Sequence, residues 1–213
     1  MNLRDTGKIN LKINMSILKN KLKFDFTIKP RDRIDKFKQK PKLIWLTGLY
    51  ASGKSTLANA LDIQLFGRGF NTCVLDGDNL RTGINKDLSF SVEGRKENLR
   101  RAVEISGLFL NAGIIVIAAF VSPFAKDREM ITNIIGPDNF IEIFVDTPID
   151  VCEQRDTKGL YKKARAGEIN DSTGINSPYE TPVNPFIKLD AFYKFADEII
   201  KDNLQLLLPE LIL

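Results

Sequence analysis

The stretch Gly48-Leu49-Tyr50-Ala51-Ser52-Gly53-Lys54-Ser55 matches the phosphate-loop pattern G-x-x-x-x-G-K-[ST] and directly follows the apolar run Leu43–Thr47. This context predicts a buried strand, a glycine turn, and a helix whose free N–H groups and positive dipole end face a polyphosphate. Lys54 would reach the β- and γ-phosphates, and the Ser55 hydroxyl would ligate Mg²⁺. The alternative is a plain glycine turn between strand and helix. The residues expected to bind ATP are Gly48, Leu49, Tyr50, Ala51, Ser52, Gly53, Lys54, Ser55 and Thr56.

Length and composition fit a single α/β domain, since 213 residues are ample for one core and hardly enough for two. The longest apolar run, 114–121, is too short to cross a bilayer, and no secretory signal is visible. We therefore expect a cytoplasmic protein. Cys73 and Cys152 have no spacing typical of zinc ligands and are expected to be buried thiols. The chain has no histidine, so a general base must be a carboxylate or another group.

Positive charge is concentrated at the beginning of the chain. Residues 1–42 hold 13 Lys and Arg against 4 Asp and Glu, a net charge of +9, whereas the remainder carries −5. A basic arm of this kind can contact nucleic acid or an anionic surface. Because no aromatic interleaving or binding motif accompanies the charge, we expect neither a nucleic acid nor a membrane partner. We predict a partly disordered extension at 1–41 and a phosphate-loop domain at 42–213.

Short apolar runs alternate with longer helical stretches, and this rhythm predicts a parallel sheet covered by helices. The expected fold is an α/β, three-layer arrangement of the phosphate-loop NTPase type with a central, mostly parallel five-stranded sheet. A helix is predicted at about 95–111. Residues 157–189 are poor in large aliphatic side chains, and a stretch of that length without regular structure is typical of a functional lid. The predicted strands are Leu43–Thr47, Thr72–Asp76, 114–119, Phe140–Asp146 and a weaker fifth near 198–201.

Residues with chemical potential follow three of these strands. Ligands collect at the carboxyl ends of strands in open α/β sheets, so the phosphate loop, the segment after Asp76 and the segment Val121-Ser122-Pro123 should converge on one crevice. Asp78 could orient or deprotonate an attacking hydroxyl and bind Mg²⁺ through water. Its alternative role is that of an aspartate capping a turn.

Seven stretches form a specific combination: residues 48–60, LDGDNLR at 75–81, NKDL at 85–88, RKENLRR at 95–101, AAFVSP at 118–123, FVDTP at 144–148 and CEQRDTKGLYKKARAGEI at 152–169. Together they resemble the adenylyl-sulfate kinase family, so the domain at 42–213 is expected to be a kinase. The resemblance implies transfer of the γ-phosphate of ATP to the 3′-hydroxyl of adenylyl sulfate, giving 3′-phosphoadenylyl sulfate and ADP, with Mg²⁺ as cofactor and a homodimer as the assembly. It also suggests a short helix near 30–40. Two alternatives stay open: a related kinase acting on another nucleotide conjugate, such as a cytidine one, and a nucleotide-binding partner without activity.

The acceptor implied by this resemblance carries phosphate and sulfate charge. Planar guanidinium groups pair well with such oxyanions, which suits Arg81 and Arg95. The resemblance associates Ser122 with a phosphoserine intermediate. Direct in-line transfer needs no protein nucleophile, so we instead expect Ser122 to donate a hydrogen bond to the substrate. The residues expected to bind the acceptor are Asp78, Asn79, Arg81, Phe90, Arg95, Asn98, Val121, Ser122, Lys158 and Ser172.

The chain departs from the family pattern at 171–175, where Asp-Ser-Thr-Gly-Ile replaces Gly-Phe-Thr-Gly-Ile or Asn-Phe-Thr-Gly-Ile. In the family that phenylalanine forms half of an aromatic clamp on the acceptor adenine, with the position of Phe90 as the other half. Ser172 occupies the place of the missing ring. The departure therefore predicts weaker binding of the acceptor base.

Overall fold

The structure is a computed structural model and describes residues 25–213, so the predictions for residues 1–24 lie outside the described residues. Its centre is a five-stranded parallel sheet with the strand order β2-β3-β1-β4-β5. The predicted fold class is confirmed, and the paired strands of this sheet all run parallel. The strands are β1 (Leu43–Thr47), β2 (Thr72–Asp76), β3 (Ile115–Ala119), β4 (Phe140–Asp146) and β5 (Ile187–Asp190).

Helices cover both faces of the sheet. The helix at Val92–Asn111 begins three residues before the predicted 95, because the Ser91 hydroxyl caps it by accepting from the Gly94 N–H at 3.1 Å. The described helices are α1 (Pro30–Phe37), α2 (Lys54–Phe66), α3 (Gly77–Thr82), α4 (Val92–Asn111), α5 (Ala125–Ile135), α6 (Ile149–Gln154), α7 (Leu160–Arg165) and α8 (Ala196–Leu211).

The first four predicted strands are confirmed to within one residue, but the fifth is wrong. Residues 198–201 belong to α8, where Ile199 and Ile200 are buried on the face that packs against the sheet. A pair of isoleucines between charged residues fits a strand or an amphipathic helix equally well. The fifth strand is instead β5, a four-residue edge strand whose side chains alternate between buried and exposed.

The core has two parts, one on each face of the sheet. On one face α2 and α8 cover Ile44 and Leu46 of the central strand β1. On the other face α4 and α5 cover Leu43 and Trp45 of the same strand. All five residues of β1 are buried, as a central strand covered on both sides requires. This packing fixes the carboxyl end of β1, where the phosphate loop begins.

The stretch 157–189 was predicted to lack regular structure, and this is only partly correct. It contains helix α7 and most of strand β5, so the parts without regular structure are 157–159 and 166–186. Cys73 lies in β2 and is half-buried, whereas Cys152 lies in α6 and is fully buried; both are free thiols. Within residues 25–213, none of the helices combines the length and apolarity needed to cross a membrane.

Candidate active site

The phosphate loop leaves β1 and enters α2 by two turns that need glycine. A Cβ atom at Gly48 would lie 2.6 Å from the carbonyl oxygen of Val145, so only glycine lets the loop pass this close to β4. Gly53 has φ +98° and caps the start of α2. Its left-handed conformation turns the chain so that the N-terminus of α2 opens onto the crevice. The local geometry is that of an anion-binding helix end.

Lys54, the first residue of α2, is buried beneath this loop. Its ammonium group donates to the carbonyl oxygen of Leu49 at 2.6 Å and lies 3.5 Å from the Ser52 hydroxyl. Burial lowers the pKa of Lys54 to about 8, although nearby Asp76 and Asp78 act in the opposite direction. The site therefore holds a cation with few counter-charges, which suits it to a polyphosphate.

Two aspartates at or just after the end of β2, Asp76 and Asp78, have different contacts. Asp76 caps α3 by accepting from the backbone N–H groups of Asp78 at 2.9 Å and Asn79 at 3.1 Å. The second carboxylate oxygen of Asp76 accepts from the Ser55 hydroxyl at 2.6 Å. The capping role proposed as the alternative for Asp78 thus falls to Asp76. Asp78 is left free to contact Lys158 of the lid, whose ammonium group lies 2.5 Å from its carboxylate.

Lys158 reaches Asp78 from the beginning of the lid. The hydrogen bond to Asp78 raises the pKa of Lys158, so the lysine is held in its charged form. Its ammonium group also lies 5.9 Å from the ring centroid of Tyr50 in the phosphate loop. One lid side chain is therefore in contact with both the loop and the carboxylate beside it.

The two arginines predicted to bind the acceptor, Arg81 and Arg95, also form hydrogen bonds with backbone carbonyl groups around the crevice. Arg81 donates to the carbonyl oxygen of Ser89 at 3.0 Å, and its guanidinium group lies 4.4 Å from the ring centroid of Phe90. Burial lowers the pKa of Arg81. Arg95 donates to the carbonyl oxygens of Phe90 at 2.9 Å and Asp171 at 2.7 Å. Arg95 thus ties the beginning of α4 to the lid.

Asn98 and Ser122 lie deeper and are both buried. The Asn98 side-chain oxygen accepts from the Asn85 amide at 2.8 Å. The Ser122 hydroxyl accepts from the Trp45 indole N–H at 3.0 Å and donates to the Thr47 hydroxyl at 2.8 Å. A hydrogen bond from Ser122 to a substrate would have to replace the one to Thr47.

These groups share one cavity of about 920 Å³, which is lined both by the phosphate loop and by the residues expected to bind the acceptor. Four predicted site residues do not line it: Gly48, Leu49, Ser52 and Asn79. The cavity brings together Tyr50, Ala51, Gly53, Lys54, Ser55, Thr56, Asp78, Arg81, Phe90, Arg95, Asn98, Val121, Ser122, Lys158 and Ser172.

The family model for adenylylsulphate kinase matches residues 40–190 of the chain. The chain belongs to the adenylyl-sulfate kinase family. An adenylyl-sulfate kinase of Marinobacter nauticus is 55% identical over 162 residues, which cover 76% of this chain and 81% of that protein. One of Bacteroides fragilis is 50% identical over 186 residues, covering 87% of this chain and 92% of that protein.

A solved structure of the Mycobacterium tuberculosis APS kinase CysC in complex with AMPPNP and APS is also similar. It is 44% identical, has a TM-score of 0.74, and covers 79% of this chain and 98% of that one. The family-model match at 40–190 includes the phosphate loop, the residues expected to bind the acceptor and the predicted lid.

The cavity is also lined by residues that the sequence does not single out, among them Arg155, Tyr161, Lys194 and Phe195. Arg155 lies just before the lid, and Tyr161 lies in α7, where its hydroxyl donates to the carbonyl oxygen of Tyr50 at 2.8 Å. Lys194 and Phe195 follow β5 and lie beyond the residues that the family model matches. Once β5 is placed correctly, these two residues stand at the carboxyl end of a strand. Because the fifth strand was predicted at 198–201, the position of Lys194 and Phe195 after a strand could not be inferred from the sequence.

Proposed function

We propose that this adenylyl-sulfate kinase binds ATP on the phosphate loop and adenylyl sulfate against Arg81, Phe90 and Arg95, end to end in the one cavity. The γ-phosphate passes to the 3′-hydroxyl of adenylyl sulfate, leaving ADP and 3′-phosphoadenylyl sulfate. Membership of the family carries the activity, and the roles of individual residues are our proposal. The similar structure solved in complex with AMPPNP and APS supports the proposal that the cavity is a site for two substrates.

At the donor end, the loop N–H groups and the dipole of α2 hold the phosphates, and Lys54 neutralises charge as the γ-phosphate leaves. The residues present fit Mg²⁺. The Ser55 hydroxyl and the Asp76 carboxylate are hard oxygen groups in direct contact, and Asp78 lies two residues further on. Mg²⁺ is usually held in kinases by one or two such oxygens together with phosphates and water. When bound, it would supply further charge neutralisation on the phosphates.

At the acceptor end, Arg81 and Arg95 face the phosphate and sulfate charges, and Phe90 offers a ring face to the adenine. Phe90 is 67% exposed in the cavity wall, so its ring is accessible to a base. Asp78 orients the 3′-hydroxyl through its carboxylate and accepts the proton as the phosphoryl group is transferred. Lys158 keeps that carboxylate paired until a substrate replaces the contact.

One observation carries this proposal: Asp78 lines the same cavity as Lys54 and as the acceptor arginines. The test is a coupled assay of ADP formation with ATP and adenylyl sulfate, repeated with a cytidine 5′-conjugate as acceptor. We expect turnover that depends on adenylyl sulfate. Faster turnover of the cytidine compound would favour the alternative kinase, and no turnover with either acceptor would refute the proposal.

We further propose that the enzyme is a cytoplasmic homodimer in which residues 1–41 form an extension to a kinase domain at 42–213. The family match that begins at residue 40 supports this boundary. The dimer rests on the family resemblance alone. Light scattering after gel filtration tests it, with a mass of twice 24.0 kDa expected and a mass of 24.0 kDa against it.

A further inference from the structure

Arg128 of α5 is a buried charge that the reaction described above does not use. Its side chain is nearly inaccessible, at 6% exposure, and its three nitrogens meet three different partners. One terminal nitrogen donates to the carbonyl oxygen of Ser122 at 2.8 Å, and the other donates to the carbonyl oxygen of Glu180 at 2.6 Å. The guanidinium group therefore joins the loop after β3 to the end of the lid.

The charge of Arg128 has a partner on the central sheet. The Glu142 carboxylate on β4 lies 3.1 Å from the remaining guanidinium nitrogen. Burial raises the pKa of Glu142, and the charge of Arg128 opposes that rise. Removing one member of a buried ion pair leaves the other uncompensated, which is strongly destabilising. A test of Arg128 must therefore keep this pair balanced.

Further contacts join the same two segments. The backbone N–H of Glu180 donates to the carbonyl oxygen of Pro123 at 2.8 Å, and the Glu180 carboxylate accepts from the backbone N–H of Ala125 at 2.6 Å. One residue earlier, the Tyr179 hydroxyl lies 3.0 Å from the Thr47 hydroxyl. The lid is thus fixed at 179–180, and Ile169, Ser172 and Thr173 of its irregular part before that point line the cavity.

The loop after β3, to which Arg128 donates through the Ser122 carbonyl, forms a wall of the proposed acceptor site. Val121, Ser122 and Pro123 all line the cavity. Ser122 has φ +35°, a conformation that costs free energy for a residue other than glycine and persists only where surrounding contacts hold it. The donation from Arg128 to the Ser122 carbonyl is one of those contacts.

We propose that Arg128 is a positioning residue for the acceptor: it holds the Val121–Pro123 wall and the Glu180 end of the lid at a fixed separation. The proposal rests on the proposed function, because it assigns the acceptor to this end of the cavity. Lysine cannot replace arginine here, since an ammonium group lacks the planar fork that reaches two carbonyls and a carboxylate at once. Arg128 acts through the backbone of its partners and contacts no reacting atom.

The first variant is Arg128→Lys, which keeps the charge beside Glu142. Because hydrogen bonds from a charged group are lost, we expect the KM for adenylyl sulfate to rise about 10-fold and the KM for ATP to change by less than about 2-fold. Hydrogen exchange at the Glu180 amide should become faster. A second variant, Arg128→Met with Glu142→Gln, removes both charges and should give the same separation of the two KM values. It keeps the test valid if Arg128→Lys folds poorly.

The matched control is Ile131→Val, one turn further along α5 in the core. This substitution should lower the melting temperature, because Ile131 is buried, and leave both KM values unchanged, because Ile131 does not line the cavity. If both Arg128 variants left the two KM values unchanged, or raised both equally, the positioning role would be refuted. A wild-type enzyme without turnover would refute the proposed function instead. Hydrogen exchange at the Glu180 amide would then test the positioning role of Arg128 without an activity assay. An exchange rate in Arg128→Lys equal to that of the wild type would refute that role.

Discussion

The two ends of the cavity are built differently. At the phosphate end, Lys54 contacts the loop that precedes it, within five residues along the chain. At the acceptor end, Arg95 reaches the lid residue Asp171 from 76 residues away, and Lys158 reaches Asp78 from 80 residues away. Lys54 at the phosphate end is therefore placed mainly by its own loop, although Tyr161 also contacts that loop from the lid. The acceptor end relies more on contacts between segments that are far apart in the sequence.

This difference has a consequence for the reaction. A site formed locally and buried is preorganised, so its charges meet the transition state without rearrangement. A site held by exposed ion pairs and by hydrogen bonds from a lid can open for substrate, because such contacts contribute little free energy each. Substitutions at the phosphate end should therefore change turnover, and substitutions at the acceptor end should mainly change substrate affinity.

The largest expected effect belongs to Lys54→Ala. We expect turnover to fall by about three orders of magnitude or more, because the charge is needed where the γ-phosphate leaves. The melting temperature should not fall, since burial already disfavours the charged lysine in the folded state. Steady-state kinetics and calorimetry measure the two quantities, with Arg100→Ala on the exposed face of α4 as control. Near-native turnover of Lys54→Ala would refute the proposed role of Lys54 in phosphoryl transfer.

Asp78→Asn lies at the junction of the two ends. The carboxylate is proposed to orient and deprotonate the 3′-hydroxyl, so turnover should fall by roughly 10²-fold while the KM for ATP stays within a few-fold. Pre-steady-state kinetics would locate the loss in the chemical step. Asp87→Asn is the control, because its carboxylate pairs with Arg101 on α4 and does not line the cavity. Unchanged turnover in Asp78→Asn would limit this aspartate to shaping the turn.

Ser172→Phe tests the acceptor end alone. Ser172 lines the cavity where the family pattern has a phenylalanine, and stacking of a base on an aromatic ring contributes roughly 1 to 3 kcal/mol in other proteins. Restoring the ring should lower the KM for adenylyl sulfate about 5- to 150-fold, with little change in the KM for ATP.

Ser172→Leu is the matched control, because it adds apolar surface without a ring and should recover only a small part of the affinity. If Ser172→Phe left the KM for adenylyl sulfate unchanged, the acceptor base would not lie against this part of the lid. If it worsened that KM while a cytidine conjugate became the better acceptor, the alternative kinase would be supported.

The sequence predicted the locally built end more completely than the assembled one. The G-x-x-x-x-G-K-S pattern is contiguous, so a strand, a turn and Lys54 could be placed from residue types alone. The donation from Arg95 to the Asp171 carbonyl and the donation from Arg128 to the Glu180 carbonyl join segments more than 50 residues apart. No local pattern encodes such contacts. The position of β5 was missed for a related reason, since a four-residue edge strand carries a weaker periodicity than the isoleucines of α8.

The pH dependence of nucleotide binding is the next smaller effect. Burial lowers the pKa of Lys54 to about 8, and a bound phosphate must raise it again. The complex therefore holds more protons than the free enzyme above pH 8, so affinity is constant below pH 8 and falls as the pH rises above it. Binding of AMPPNP should be about 10-fold weaker at pH 9 than at pH 7. Calorimetry measures this, and a Lys54→Arg control should give a flat profile. A flat profile in the wild type would contradict the prediction.

Ser122→Ala should have the smallest effect, and it sharpens the comparison because Ser122 lies at the acceptor end but is buried, as Lys54 is at the phosphate end. Its hydroxyl already bonds to Trp45 and Thr47, so its loss should cost about 1 to 2 kcal/mol of stability and lower turnover by less than about 5-fold. Ser106→Ala, which removes another buried hydroxyl, should match the loss of stability without changing turnover. An obligate phosphoserine would instead leave Ser122→Ala inactive, and rapid-quench mass spectrometry would detect phosphate on the wild-type protein. That result would replace direct transfer with a covalent intermediate, and Ser122 would then have to leave Thr47 during every turnover.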